Sequence, residues 1–121
     1  MHTHHYKKNG TISKSDWIKI RRFAVALVNS NLSLFSSTKI NQDIIHLKPK
    51  KNKNLSNDDF YLVRAKKGDT SHGFCKTTYH DTPYDNFVFA LLQFINAVSD
   101  KISIRVDGGI KAYKITKSVL W

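Results

Sequence analysis

The sequence predicts a small α+β domain in which two helices pack on one face of a mostly antiparallel sheet. Two long segments, 14–29 and 83–98, repeat apolar residues at helical spacing and begin with capping residues. Shorter segments between and after them alternate apolar and polar residues or are rich in β-branched and aromatic residues, which predicts strands. The predicted order of elements is α-β-β-β-α-β-β.

The first predicted helix covers residues 14–29. Ser13 is its expected N-cap, and Asp16 three residues later completes a capping box. One face of this helix is apolar and is expected to be buried; it consists of Trp17, Ile20, Phe23, Ala24, Leu27 and Val28. Ile18 and Val25 widen this apolar stripe, so we expect the helix to be well covered.

Three strands are predicted between the helices. An irregular connection is expected over 29–37, followed by a short strand at 44–48 and a solvated, lysine-rich loop at 48–54. Alternation in 60–67 and 73–79 predicts two further strands. The glycine-containing segment between these strands predicts that they pair with each other as a hairpin.

The second helix has the strongest local signal in the chain. Thr82 is a cap, a proline follows at the first helical position, and Asp85 is an acid at the third. The helix predicted over 83–98 is apolar nearly all round, so it should be central and buried on most sides. We expect Leu91 and Phe94 in particular to be nearly inaccessible.

The C-terminal part of the chain predicts a second hairpin. Residues 101–106 alternate cleanly between apolar and polar side chains, which is typical of a strand. The sequence Asp-Gly-Gly at 107–109 predicts a tight turn, because both glycines tolerate positive φ. Residues 111–115 are then expected to form the last strand.

Length and composition predict one domain, at 11–121, preceded by a flexible polar N-terminus at 1–10. The 121 residues are the usual size of a single domain. Residues 1–10 lack the apolar core of a signal peptide, and no apolar stretch reaches the roughly 18 residues that span a bilayer. Cys75 is the only cysteine, so a disulfide framework is excluded and a cytoplasmic location is expected.

Two histidines near Cys75 raise the alternatives of a thiol nucleophile and of a metal site. An imidazole from His72 or His80 would activate the thiolate. In a strand, however, residues three and five positions away from Cys75 point to the opposite face, so a structural cysteine is favoured. With Asp81 these residues would offer four metal ligands, but their spacing fits no compact zinc pattern. We therefore predict neither a metal nor a cofactor.

Aspartates offer the remaining enzymatic alternative, a metal-dependent nuclease. Asp58, Asp59 and the acids at 81 and 85 have the carboxylates that Mg²⁺ prefers. Asp85 is explained more simply as a first-turn residue beside the helix dipole. No catalytic residue is assigned, and the sequence favours a binding module over an enzyme.

Net charge is the clearest functional signal in the sequence. The chain has 20 Lys and Arg against 9 acidic residues, for a formal net charge of +11. Every acidic residue is Asp, so the helices lack the glutamates that usually pair with lysine at i,i+4. A surface of this kind attracts polyanions.

We therefore expect a basic module that binds the backbone of DNA or RNA with low sequence specificity. The predicted contacts lie mostly on or beside the 60–79 hairpin: Lys50, Lys51, Lys53, Arg64, Lys66, Lys67, Lys76 and Arg105. The first alternative is a small regulatory or inhibitory protein-interaction module that docks an acidic partner and self-associates through an edge strand. The second alternative is the metal-dependent nuclease or a Cys-dependent enzyme.

Overall fold

The α+β class is confirmed by a computed structural model that describes residues 2–51, 57–65, 70–77 and 82–106. In chain order the elements are β1 (His2–Asn9), α1 (Lys14–Asn29), β2 (Phe35–Ile40), β3 (Ile44–Pro49), β4 (Phe60–Val63), β5 (Thr70–Thr77), α2 (Pro83–Val98) and β6 (Ile102–Val106). This order agrees approximately with the predicted one. The strands pair antiparallel, but they form two sheets of three strands, sheet A in the order β5-β1-β6 and sheet B in the order β2-β3-β4.

Helix α1 has the predicted bounds because its first turn is capped locally. The Ser13 hydroxyl accepts a hydrogen bond from the Asp16 amide at 3.2 Å. The inward face is buried as predicted, through Trp17, Ile20, Ala24 and Val28. The prediction that Ile18 and Val25 add to the covered face is wrong. These side chains are 46% and 43% exposed, because the elements that α1 contacts, α2 and β2 among them, cover the opposite side.

Strand β1 occupies the segment that we expected to be a flexible N-terminus. It is the central strand of sheet A and pairs with β5 on one side and β6 on the other. Its inward side chains are polar or charged and nevertheless buried: His4, Tyr6 and Lys8. Long-range hydrogen bonds compensate for this burial. The Tyr6 hydroxyl donates to the Tyr61 carbonyl at 2.8 Å, and Lys8 Nζ donates to the Arg64 carbonyl at 3.3 Å.

The hairpin predicted over residues 60–79 is not formed. β4 pairs with β3 in sheet B, whereas β5 pairs with β1 in sheet A, where Cys75 lies opposite His4. β5 therefore has a partner from the distant N-terminus. Gly73 makes room for the ring of Tyr6 on the neighbouring strand, because a Cβ at this position would overlap that ring.

Strand β2 lies within and beyond the segment that we expected to be an irregular connection over 29–37. Only Leu32–Leu34 forms a short 3-10 helix, and Phe35 then begins the strand. The strands predicted at 44–48 and 60–67 are present as β3 and β4, although β4 already ends at Val63. The next residue, Arg64, accepts a hydrogen bond at its carbonyl from the Ile12 amide, just before α1, at 3.0 Å.

Helix α2 also has the predicted bounds, and the Thr82 hydroxyl caps it by accepting a hydrogen bond from the Asp85 amide at 3.3 Å. Leu91 is fully buried, as predicted. Phe94 is only partly buried and stacks on Phe23 of α1, with ring centroids 4.0 Å apart. The two helices therefore contact each other through an aromatic pair at the edge of the core.

One core joins both helices and both sheets, and α2 lies against the inward side of sheet A. The strand predicted at 101–106 is present as β6, with Ile102 and Val106 buried and Arg105 exposed. The predicted turn at 107–109 and the predicted strand at 111–115 lie outside the described residues.

Candidate nucleic-acid interface

The outward side of sheet A collects basic residues from three separate segments of the chain. Directly opposed residues of antiparallel strands point to the same face. Arg105 of β6 lies opposite His5 of β1, and Lys76 of β5 lies opposite Thr3 of β1. Lys7 follows two positions after His5 and so shares its face. We call His5, Lys7, Lys76 and Arg105 the sheet A cluster.

The sheet A cluster is exposed and closely spaced. Lys7, Lys76 and Arg105 are exposed, and His5 is half-buried. Lys7 and Arg105 are diagonal neighbours across two paired strands, a relation in which residues are about 7–8 Å apart. The whole cluster extends about 14 Å along β1 and about 10 Å across the three strands, from the usual strand rise and spacing.

The strands that carry the cluster contain no acidic residue. The carboxylate of Asp58 lies beside the edge strand β5, where it accepts a hydrogen bond from the Lys76 amide at 3.0 Å. The three strands of sheet A therefore bring no carboxylate of their own to its outward face.

The predicted contact residues are only partly brought together. Lys76 and Arg105 belong to the cluster, whereas Lys50 and Lys51 are exposed beyond the end of β3 in sheet B. Arg64 follows β4, and its Nη1 donates a hydrogen bond to the Ile12 carbonyl at 3.0 Å. The remaining predicted contacts lie outside the described residues: Lys53, Lys66 and Lys67.

His5 and Lys7 were missed because residues 2–9 were not recognised as a strand. Inward His4, Tyr6 and Lys8 alternate with outward His5 and Lys7, which is the period of a strand. This alternation was the sequence signal that could have identified residues 2–9 as a strand. It lacks the contrast between apolar and polar residues on which strand recognition depends, because both faces carry polar side chains.

Behind the sheet A cluster, three fully buried polar side chains join the sheet to α2. Asp85 Oδ1 lies 2.8 Å from His4 Nε2 of β1 and accepts a hydrogen bond from the Thr77 hydroxyl of β5 at 2.5 Å. Asp85 also lies in the first turn of α2, as predicted, and its backbone amide donates to the Thr82 hydroxyl. Because none of the three side chains reaches the surface, this network fixes two strands to the helix and offers no access to a substrate.

Cys75 is buried on the same inward side of sheet A. Its Sγ lies 3.4 Å from the Asp58 carbonyl and 3.8 Å from the Tyr84 hydroxyl. Burial, the largest cause, raises the pKa of the Cys75 thiol from 9.0 to about 12. A neutral buried thiol is a poor nucleophile, which favours the structural role. The side chains of His72 and His80, the predicted partners of Cys75, lie outside the described residues.

We expect Cys75 in the folded protein to resist alkylation at pH 8. The rise of its pKa from 9.0 to about 12 reduces the thiolate fraction about a thousandfold, and burial blocks access. Because the unfolded thiol releases its proton at lower pH than the folded one, stability should fall as the pH rises from about 9 to about 12. The rate at which a thiol reagent labels Cys75, measured with and without urea, checks the expected resistance to alkylation. Rapid labelling without urea would contradict it.

The aspartates of the nuclease alternative bind different partners. Asp58 contacts β5 as described above, Asp59 Oδ2 lies 2.9 Å from His46 Nε2, and Asp85 is buried in the network with His4. Asp81 lies outside the described residues. Within residues 2–51, 57–65, 70–77 and 82–106, no three His, Cys, Asp or Glu side chains group as a metal site.

In the part of the chain that the structure describes, no helix is long and apolar enough to cross a membrane. The sequence matches no protein-family model, and no curated protein and no solved structure is significantly similar to it.

Proposed function

We propose that the protein binds the phosphate backbone of nucleic acid through the outward face of sheet A. The observation that supports this most directly is the strand register, in which Lys76 and Arg105 flank a central strand that presents Lys7 and His5 on the same face. Lysine and arginine neutralise phosphates and release condensed counterions. The planar guanidinium of Arg105 can bind one phosphate through two hydrogen bonds.

The dimensions of the sheet A cluster suit a stretch of backbone better than a small anion. Its exposed cations are spread over about 14 Å by about 10 Å, and duplex DNA carries one negative charge per about 1.7 Å of its axis. Several phosphates therefore lie within reach at once. A sheet face inserts no helix into a groove, so the proposed contacts position the backbone and read few bases.

A cytoplasmic location belongs to the same proposal, because the one cysteine of the chain is a free, buried thiol. An acidic protein is the other polyanion that the net charge of +11 would attract. Nucleic acid is preferred for this face because the cluster is polar, whereas the centre of a protein interface is usually apolar.

Combined replacement of the three exposed cations by Lys7→Gln, Lys76→Gln and Arg105→Gln tests the proposal. Each lost phosphate contact removes about 0.7–0.9 from the slope of log affinity against log salt, so the slope should flatten by about 2–3. Between 50 and 200 mM salt, the unaltered protein should then lose about 20–40 times more affinity than the variant. Fluorescence anisotropy with duplex DNA, single-stranded DNA and RNA measures this.

The matched control removes the same charge from another surface, through Lys14→Gln, Lys19→Gln and Arg22→Gln on α1. These residues are exposed, and α1 packs on α2, which lies behind sheet A. We expect the control to keep most of the salt slope. Equal losses in both variants would show that only net charge matters, and an absence of binding at low salt would refute the proposed function.

A further inference from the structure

The solvent-facing side of α1 is a second surface with a distinct chemistry. Ile18 and Val25 are 46% and 43% exposed, although both are branched aliphatic residues. They lie seven residues apart, so they are on the same side of the helix at a separation of about 10 Å. The helix therefore presents two aliphatic side chains to solvent in line along its axis.

Two clefts adjoin these aliphatic side chains. The first has a volume of about 400 Å³ and is lined by Lys14, Trp17, Ile18, Arg21, Gln42, Asp43 and Arg64. The second is shallower, has a volume of about 530 Å³ and is lined by Ile18, Arg21, Arg22, Val25, Ala26 and Asn29. Because Ile18 and Arg21 line both, the clefts form one continuous surface, which we call the α1 groove.

The α1 groove combines an apolar floor, which includes Ile18 and Val25, with a cationic rim. Arg21 lines both clefts, and Lys14 and Arg64 line the first. The hydrogen bond from Arg64 Nη1 to the Ile12 carbonyl at 3.0 Å fixes the position of this guanidinium. Asp43 is the one carboxylate in the lining of the first cleft, and the second has none. The rim is therefore complementary to acidic side chains.

We propose that the α1 groove binds an amphipathic, acidic segment of a partner protein. Apolar side chains of that segment contact Ile18 and Val25, and its carboxylates pair with Arg21 and the other cations of the rim. Binding of an amphipathic helix through anchors at i, i+3 or i+4 and i+7 is a common mode of peptide recognition. Ile18 and Val25 are about 10 Å apart along α1, which is also the distance between positions i and i+7 of a bound helix. A helix that lies along α1 can therefore place one anchor against each of them. This proposal is independent of the nucleic-acid face on sheet A.

Three other occupants fit the α1 groove less well. A bilayer is flat, whereas the first cleft is concave and its large aromatic residue, Trp17, is only 1% exposed. Nucleic acid binds hydrophobic surfaces through stacking on aromatic rings, and the exposed residues here are aliphatic. A second copy of the chain would place cationic rims opposite each other, which is unfavourable.

A synthetic helical peptide tests the proposal, with leucines at i, i+4 and i+7 and glutamates at the flanking positions. Titration into the protein should give saturable changes in amide NMR shifts that are confined to 14–29 and the vicinity of Arg64. Ile18→Ser removes an anchor and Arg21→Gln removes the shared cation, and each should weaken binding about tenfold. Both residues are outside the buried core, so circular dichroism should confirm that these variants fold.

The matched control is Lys19→Gln, which removes an exposed cation from α1 that lines neither cleft. It should change the affinity by less than about twofold, well under the tenfold effect that a lost anchor represents. Equal binding of a peptide with glutamine in place of glutamate would overturn the electrostatic argument, and absence of saturable binding would overturn the proposal itself. Ile18-dependent binding to phosphatidylglycerol vesicles, or Ile18-dependent self-association in sedimentation, would also overturn it by identifying another occupant. These variants leave sheet A unchanged, so nucleic-acid binding can be measured on them as a separate test of the proposed function.

Discussion

Replacement of Asp85 by alanine is expected to lower the free energy of unfolding by about 2–5 kcal/mol, because each buried polar group that loses its partner costs about 1–3 kcal/mol. Asp85 is fully buried, and its Oδ1 serves both His4 Nε2 and the Thr77 hydroxyl. Its removal takes an acceptor away from two buried groups on different strands. Urea unfolding followed by circular dichroism measures the change.

Asp16→Ala is the matched control, because Asp16 is the third residue after its N-cap in α1, as Asp85 is in α2. The Asp16 side chain is partly exposed, and its loss should cost about 0.3–1 kcal/mol through the helix dipole. Asp85→Asn keeps the shape and one acceptor oxygen and should lie between these values. If Asp85→Ala costs no more than Asp16→Ala, the buried network does not hold α2 to sheet A.

The helices were predictable because their signals are local. Ser13 with Asp16, and Thr82 with Asp85, are three residues apart in sequence and form the expected cap hydrogen bonds. The helical pattern did not show which apolar side chains of α1 other elements would cover. Ile18 and Val25 extend the apolar stripe of α1, but no described element packs over them.

The arrangement of the strands was less predictable because it depends on contacts between distant segments. Residues 2–9 contain no aliphatic residue, and Tyr6, the most apolar of them, carries a polar hydroxyl, so the segment does not resemble a strand with a buried face. Burial of Lys8 is tolerated because its Nζ reaches the Arg64 carbonyl, 56 residues away in sequence. Without β1 in the prediction, β5 was assigned to β4, its neighbour in sequence, as short connections usually favour.

The grouping of cations in the candidate site was hard to predict for the same reason, because it depends on strand pairing. Lys76 and Arg105 were predicted as contacts from charge alone, and only the pairing of β5 and β6 with β1 brings them to one face. Arg64 and Lys76 were predicted on or beside one hairpin, but Arg64 follows β4 of sheet B, whereas Lys76 lies within β5 of sheet A. Charge is therefore the basis of the partner that we propose, whereas the strand register determines which cations share a face.

Leu91→Ala is expected to lower the free energy of unfolding by about 2–5 kcal/mol, the range for truncating a fully buried leucine. Leu91 has no exposed surface and lies in the middle of α2, within the cluster that contains residues of both helices and both sheets. Alanine leaves a cavity that the surrounding elements cannot all collapse into, because they are fixed by other contacts. The expected signature in urea is a lower midpoint with an unchanged slope.

Val25→Ala in α1 is the control, since it also truncates an aliphatic side chain within a helix but at a position that is 43% exposed. Its effect should stay within about 0.5 kcal/mol, as for most surface substitutions. Equal effects of the two variants would show that α2 is not the centre of the core. A changed slope for Leu91→Ala would indicate that the variant alters the compactness of the folded or unfolded state, and the cavity argument would then fail.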